Sequence, residues 1–194
     1  MEEGIHVSIA PEHLGTWLGL PITNSLLMSW VALSCVILLA ILIRRRTALV
    51  PGKVQIVAET LIGGITDFAS DALENKDLGR KFSPLLLALF LFILIGNWLE
   101  FIPGVESIVF HHADGEAVPL LRAMNTDLNT PLALAIIAFL TIEITGIRTL
   151  GFFTYMSKFF NFHSPIGFVV GLLELLSELI RLISFSFRLF GNIF

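Results

Sequence analysis

Charge is what this 194-residue chain has least of: Asp, Glu, Lys and Arg together make up 14% of it. Soluble domains carry about 25%, so the side chains that keep a folded surface in water are roughly halved. There is one Tyr beside 17 Phe, and one Cys, Cys35, inside an apolar run. A lone cysteine excludes both a disulfide framework and a cysteine metal cluster. Basic residues are missing from residues 1–22, and none of the four charged types occurs from His13 to Ile43. These gaps exclude a disordered chain, a basic nucleic-acid binder and an ordinary cytosolic enzyme. What is present is 55% hydrophobic residues and a mean hydropathy of +0.85. The sequence predicts an all-α polytopic integral membrane protein. Its start, Met1-Glu2-Glu3-Gly4, carries no basic leader, which favours a bacterial inner (plasma) membrane or an organelle-encoded product.

Segments follow from the apolar runs, at about 20 residues per bilayer crossing. An outer N-terminal segment occupies residues 1–22 and a first span residues 23–43. A cytoplasmic loop follows at 44–81, a second span at 82–102 and an outer loop at 103–129. A third span covers 130–148, a cytoplasmic or interfacial connection 149–164, and a long membrane-embedded helix 165–194. Orientation rests on the basic residues. Arg44, Arg45, Arg46, Lys53, Lys76, Arg80 and Lys81 fall in the first loop, which is therefore cytoplasmic, with the N-terminus outside. Within that loop Val57, Ala58, Leu61, Ile65, Phe68 and Ala72 recur at helical spacing, opposite Gln55, Glu59, Thr60, Asp67, Asp71 and Glu74. This predicts an amphipathic helix in the headgroup plane or packed on a soluble partner.

The informative stretch is Gly171 to Phe194, GLLELLSELIRLISFSFRLFGNIF. On a helix turning about 100° per residue, with Glu174 at zero, Glu178 falls near about +40°, Arg181 about −20°, Arg188 about −40° and Asn192 about 0°. Ser177 and Ser184 lie close by, so the strongly polar side chains share a stripe about a third of the circumference wide. An arginine cannot shed its charge, and placing one at the bilayer centre costs at least about 2.5–3.5 kcal/mol. Two Arg and two Glu must then face protein, water or an ion path. Glu178 and Arg181 form an i,i+3 pair, while Glu174 reaches Arg181 only through an intermediary. Arg188 has no acid within a turn, which predicts an external carboxylate or an aqueous cavity.

Phe187-Arg188-Leu189-Phe190-Gly191-Asn192 resembles the signature of subunit a of F-type ATP synthases. Further markers come in family order: Ile5-His6-Val7-Ser8-Ile9, Ile22-Thr23-Asn24, Asn97-Trp98-Leu99-Glu100-Phe101-Ile102-Pro103, Thr126-Asp127-Leu128-Asn129-Thr130 and Gly146-Ile147-Arg148. The resemblance implies a non-enzymatic, proton-conducting stator subunit in the membrane Fo sector. Arg188 takes the place of the essential arginine that meets a carboxylate of the rotating c-ring and separates two half-channels. Asn192 accompanies it, and Glu174 and Ser177 match positions lining the cytoplasm-facing half-channel. Asn97, Glu100 and Asp127 match positions near the outer entrance. Glu178, Arg181 and Glu143 are further candidates on the cytoplasmic side. The implied partners are the c-ring, the subunit b stator and the lipid bilayer, and the implied arginine helix is steeply tilted. Family members continue beyond this point into a second long helix, so the resemblance also implies a member truncated at its C-terminus.

Neither a Gly-rich phosphate loop nor a nucleophile elbow nor a metal box is present, so neither cofactor nor metal is expected. His111-His112 lacks further ligands at helical spacing, and His163 reads as an interfacial anchor. The rival reading is a secondary transporter or stand-alone channel in which Arg188 binds an anionic substrate; duplicated halves, frequent in such proteins, are not evident. An inert scaffold would leave Arg188 unexplained. The coupling ion, H⁺ or Na⁺, is undetermined because its carboxylate belongs to the partner.

Overall fold

The computed structural model describes residues 13–17, 19–105, 108–111, 117–125, 128–159 and 165–191. Two compact units divide the chain, one of Pro11–Met124 and one of Asn125–Phe194 with Met1–Ala10. The protein is a polytopic, mainly helical membrane protein. Three of its helices are long and apolar enough to cross a bilayer.

The first unit opens with an antiparallel hairpin, β1 (His13–Trp17) and β2 (Leu20–Thr23), turning at Gly19 with φ of 81°. Helix α1 (Asn24–Arg45) follows directly. Thr23 caps it, its hydroxyl accepting from the Leu26 amide at 3.3 Å, and Arg44 and Arg45 sit at the negative end of the helix dipole. At about 1.5 Å per residue its 22 residues reach about 33 Å, enough to cross the hydrocarbon.

Helix α2 (Lys53–Ala72) and helix α3 (Lys76–Glu100) form a tight helical pair. Gln55 fastens the connection before α2, accepting from the Ala48 amide at 3.0 Å and donating to the Ala48 carbonyl at 3.2 Å. Gly79 packs directly on the backbone of Ser70, where any Cβ would collide. The apolar face read from the sequence divides in two. Ala58 and Ala69 are buried, whereas Val54, Val57 and Phe68 are exposed, Phe68 to 72%.

Asn75 caps α3, its side-chain oxygen accepting from the amides of Asp77 and Leu78. The helix therefore begins at Lys76, six residues before the apolar run at 82, because a charged first turn interrupts hydropathy but not helical hydrogen bonding. Pro84 lies within it.

A second hairpin, β3 (Val109–His111) with β4 (Ala117–Pro119), lies in the loop after α3. Asn24 Nδ2 donates to the Pro119 carbonyl at 3.4 Å, tying this loop to the head of α1. Beneath it Met28 and Ala32 of α1 pack with Met124, bordered by Phe92, Ile95, Leu99, Val105 and Leu121. The two short hairpins lie beside the spans, and the architecture is the all-α polytopic one that the sequence predicts.

The second unit consists of helix α4 (Asn129–Leu150), helix α5 (Phe152–Phe159) and helix α6 (Pro165–Gly191). Gly151, at φ 83°, ends α4 and turns the chain into α5. Both α4 and α5 pack on α6. The segment 149–164, read from the sequence as a cytoplasmic or interfacial connection, contains α5.

Candidate functional site

The site lies where α4, α5 and α6 meet. Gly171 on α6 sits against the backbone carbonyl of Phe159, with the Lys158 carbonyl 3.2 Å from where a Cβ would stand. Only glycine permits that approach. It brings Lys158 over the polar stripe of α6, where Nζ lies 2.7 Å from Glu174 Oε1 and 3.3 Å from Glu178 Oε1. The other oxygen of Glu178 accepts from Arg181 Nη1 at 2.9 Å. The intermediary between Glu174 and Arg181 is therefore Lys158 together with Glu178. Glu178 is the buried member, its side chain 5% exposed, against 38% for Lys158, 40% for Glu174 and 46% for Arg181.

Aromatic rings complete the setting. The Lys158 ammonium stands 5.9 Å from the Tyr155 ring centre and 5.4 Å from that of Phe159, and the two rings meet edge to face at 5.6 Å. The hydrogen bond to Glu174 holds the Lys158 pKa above its ordinary value, against the opposing effect of burial, and Glu178 adds to it. Tyr155 is buried against Gly146 of α4. Burial first, then the neighbouring Glu143 carboxylate of α4, pushes the Tyr155 hydroxyl up. Glu174, Glu178 and Arg181 thereby join one network through Lys158, with Glu143 of α4 close to Tyr155 but outside the ion pairs.

The stripe is split lengthwise. Its Glu174 and Glu178 edge turns toward α4 and α5, the same side on which Gly171 and Ser186 are buried. The other edge, Ser177, Arg181, Ser184 and Arg188, is exposed. Arg188 lies 5.9 Å above the ring of Phe185, one turn back. Among the described residues no carboxylate lies within 4.0 Å of its guanidinium. Ser177 donates to the Leu173 carbonyl at 2.8 Å, so its hydroxyl proton is already used.

Two of the outer candidates, Asn97 and Glu100, belong to the first unit, one turn apart at the end of α3. Asp127 and Asn192 lie outside the described residues, as do His112, His163 and the Ile5–Ile9 marker. Lys158 and Tyr155 are the residues that sequence reasoning missed. Lys158 is 16 positions from Glu174 and across a helical junction. Its only sequence signal is being the sole Lys between Lys81 and the end of the chain.

The family model described as ATP synthase A chain matches residues 26–194. ATP synthase subunit a of Campylobacter concisus is 33% identical over 161 residues, covering 81% of this chain and 63% of its own length. The Solidesulfovibrio magneticus subunit a is 32% identical over 175 residues, 89% of this chain and 64% of the relative. That of Mycobacterium marinum is 31% identical over 191 residues, covering 97% and 73%. The chain thus spans just under two thirds of the first two relatives. With a match running through α1 to the arginine-bearing end of α6, this chain belongs to the ATP synthase A chain family.

Proposed function

We propose that this chain is the ion-conducting stator subunit of a rotary F-type ATP synthase, itself without catalysis, working against a ring of small carboxylate-bearing subunits. The single observation carrying this is Arg188: a permanent cation on the open edge of α6, with no carboxylate of the described chain within ion-pairing distance. On this reading its counter-charge comes from a partner. A carboxylate moving past it in lipid can cross only when protonated, since the neutral acid enters hydrocarbon at far lower cost than the anion. Facing Arg188 it gives up its proton, because a neighbouring cation favours the ionised form. The same fixed charge opposes a proton passing straight across. Arginine does this better than lysine, which loses its charge more readily in a dry place.

Protons reach the ring from the outer side past Asn97, Glu100 and Asp127, and leave through Glu174 and Ser177 to the cytoplasm. Asn192, one turn beyond Arg188, completes the arginine's polar surroundings. The N-terminus lies outside, α2 rests in the headgroup plane on its exposed Val54, Val57 and Phe68, and subunit b joins the stator. Each 100 mV contributes about 2.3 kcal/mol per charge moved.

Disulfide trapping tests the direction in which α6 faces. In a Cys35→Ser background, Ser184→Cys, about 40° from Arg188 on the same edge, is expected to cross-link to a cysteine beside the ring carboxylate. Ser186→Cys, about 160° from Arg188 on the buried side of the helix, is expected not to. Equal cross-linking of both would defeat the proposed ring-facing edge.

A further inference from the structure

We propose that Lys158 is the positioning residue for Glu174, holding its carboxylate at the mouth through which protons leave for the cytoplasm. The inference rests on the stator reading above and deepens it. Four observations carry it. The Lys158 ammonium is 2.7 Å from Glu174. It is held from behind by the faces of Tyr155 and Phe159, so it is not a wandering surface charge. Glu178, its second acid, is buried and shares its other oxygen with Arg181, which leaves Glu174 as the one carboxylate of the pair with solvent access. The backbone beneath is fixed by the close approach of Gly171 to Phe159.

The titratable and charged groups facing this point from each element are Glu143 on α4, beside Tyr155; Tyr155 and Lys158 on α5; and Glu174, Glu178 and Arg181 on α6. Lys158 is the nearest charge to Glu174 and the largest that acts on it, with Arg181 acting in the same sense from farther along α6. An exit carboxylate has to be ionised to take the proton released by the ring and pass it to water. With the ammonium beside it, that state persists to lower pH. The Lys158 charge is itself held by the hydrogen bond to Glu174.

The test uses the whole complex in inverted membrane vesicles, whose bath is the cytoplasmic side. Respiration-driven ATP synthesis is measured against bath pH. Lys158→Gln is expected to move the acid-side half-point up by about one pH unit, the size of a lost close charge. Lys158→Met, which keeps the apolar stem on the two rings, is expected to give the same displacement if Lys158→Gln does not assemble. Lys158→Arg is expected to keep the parental half-point, and Lys158→Gln to add nothing in a Glu174→Gln background. The inference is overturned if the neutral variants keep the parental half-point, if Lys158→Arg moves as far as they do, or if the displacement survives without Glu174. Arg188→Ala vesicles run alongside separate the two levels. ATP synthesis by Arg188→Ala defeats the stator reading itself, whereas a dead Arg188→Ala with an unmoved Lys158→Gln defeats only the role of Lys158.

Discussion

Membrane vesicles carrying Arg188→Ala or Arg188→Lys in the assembled complex are expected to show no ATP-driven proton uptake, with the ring still co-purifying. The reason for expecting loss in both is physical. On the proposed mechanism, alanine removes the charge that draws the ring carboxylate into its ionised state and with it the barrier to a proton slipping across. Lysine restores a charge only while it stays protonated, and an apolar setting lowers an ammonium pKa. It also lacks the planar fork that engages a carboxylate at two points. Fluorescence quenching of a pH-sensitive dye gives the readout, and quantification of ring subunits in the purified complex gives the control. Uptake at the parental rate in either variant defeats the proposal. Since the guanidinium meets no described carboxylate of its own chain, removing it leaves no described partner stranded. Assembly is therefore expected to survive where function does not.

The second large effect is structural. Gly171→Ala is expected to force α5 off α6, because the added Cβ meets the backbone carbonyls of Phe159 and Lys158 rather than a side chain that can swing away. Overpacking of this kind costs about 1–3 kcal/mol. The matched control is Gly64→Ala in the middle of α2, where an added Cβ meets nothing within 4 Å. There the helix propensity of alanine is expected to stabilise by about 0.5–1 kcal/mol. Heating the detergent-solubilised complex and following release of this subunit should place the two variants on opposite sides of the parent. A Gly171→Ala variant as stable as the parent would mean that the α5–α6 contact is looser than described. Loss of the contact also draws Lys158 away from Glu174, so the same variant is expected to show the acid-side displacement of Lys158→Gln.

Much of this was legible in the residues. Apolar runs without Lys, Arg, Asp or Glu announce the three long helices, since hydrocarbon depth dictates length and composition together. The stripe on α6 could be read because helical periodicity converts spacing into direction. The Glu178–Arg181 pair was legible for the same reason, being one turn apart on one helix. What escaped lies in how helices meet. Nothing in the spacing of Lys158 says which acid it reaches, because that depends on the turn at Gly151 and on Gly171 admitting a carbonyl. The hairpins escaped because their pairs are three to five residues long and border apolar helices that dominate any hydropathy window. The start of α3 at Lys76 was available in the Asn75 cap, a signal carried by one side chain and not by composition. The division of the α2 face into buried alanines and exposed Val57 and Phe68 required knowing where α3 lies.

The lengthwise division of α6 makes it a keyed shaft. Glu174 and Glu178 lock one edge into the bundle, and that lock sets the compass bearing of Arg188 from about 21 Å away along the axis. Slipping one extra residue into the helix between Glu178 and Arg188 would swing the guanidinium by about 100°, away from the edge proposed to face the ring. Such an insertion is expected to silence the motor as completely as deleting the charge, though every functional side chain would still be there. In this helix phase is inherited from the anchored end, and the arginine works only while it points true.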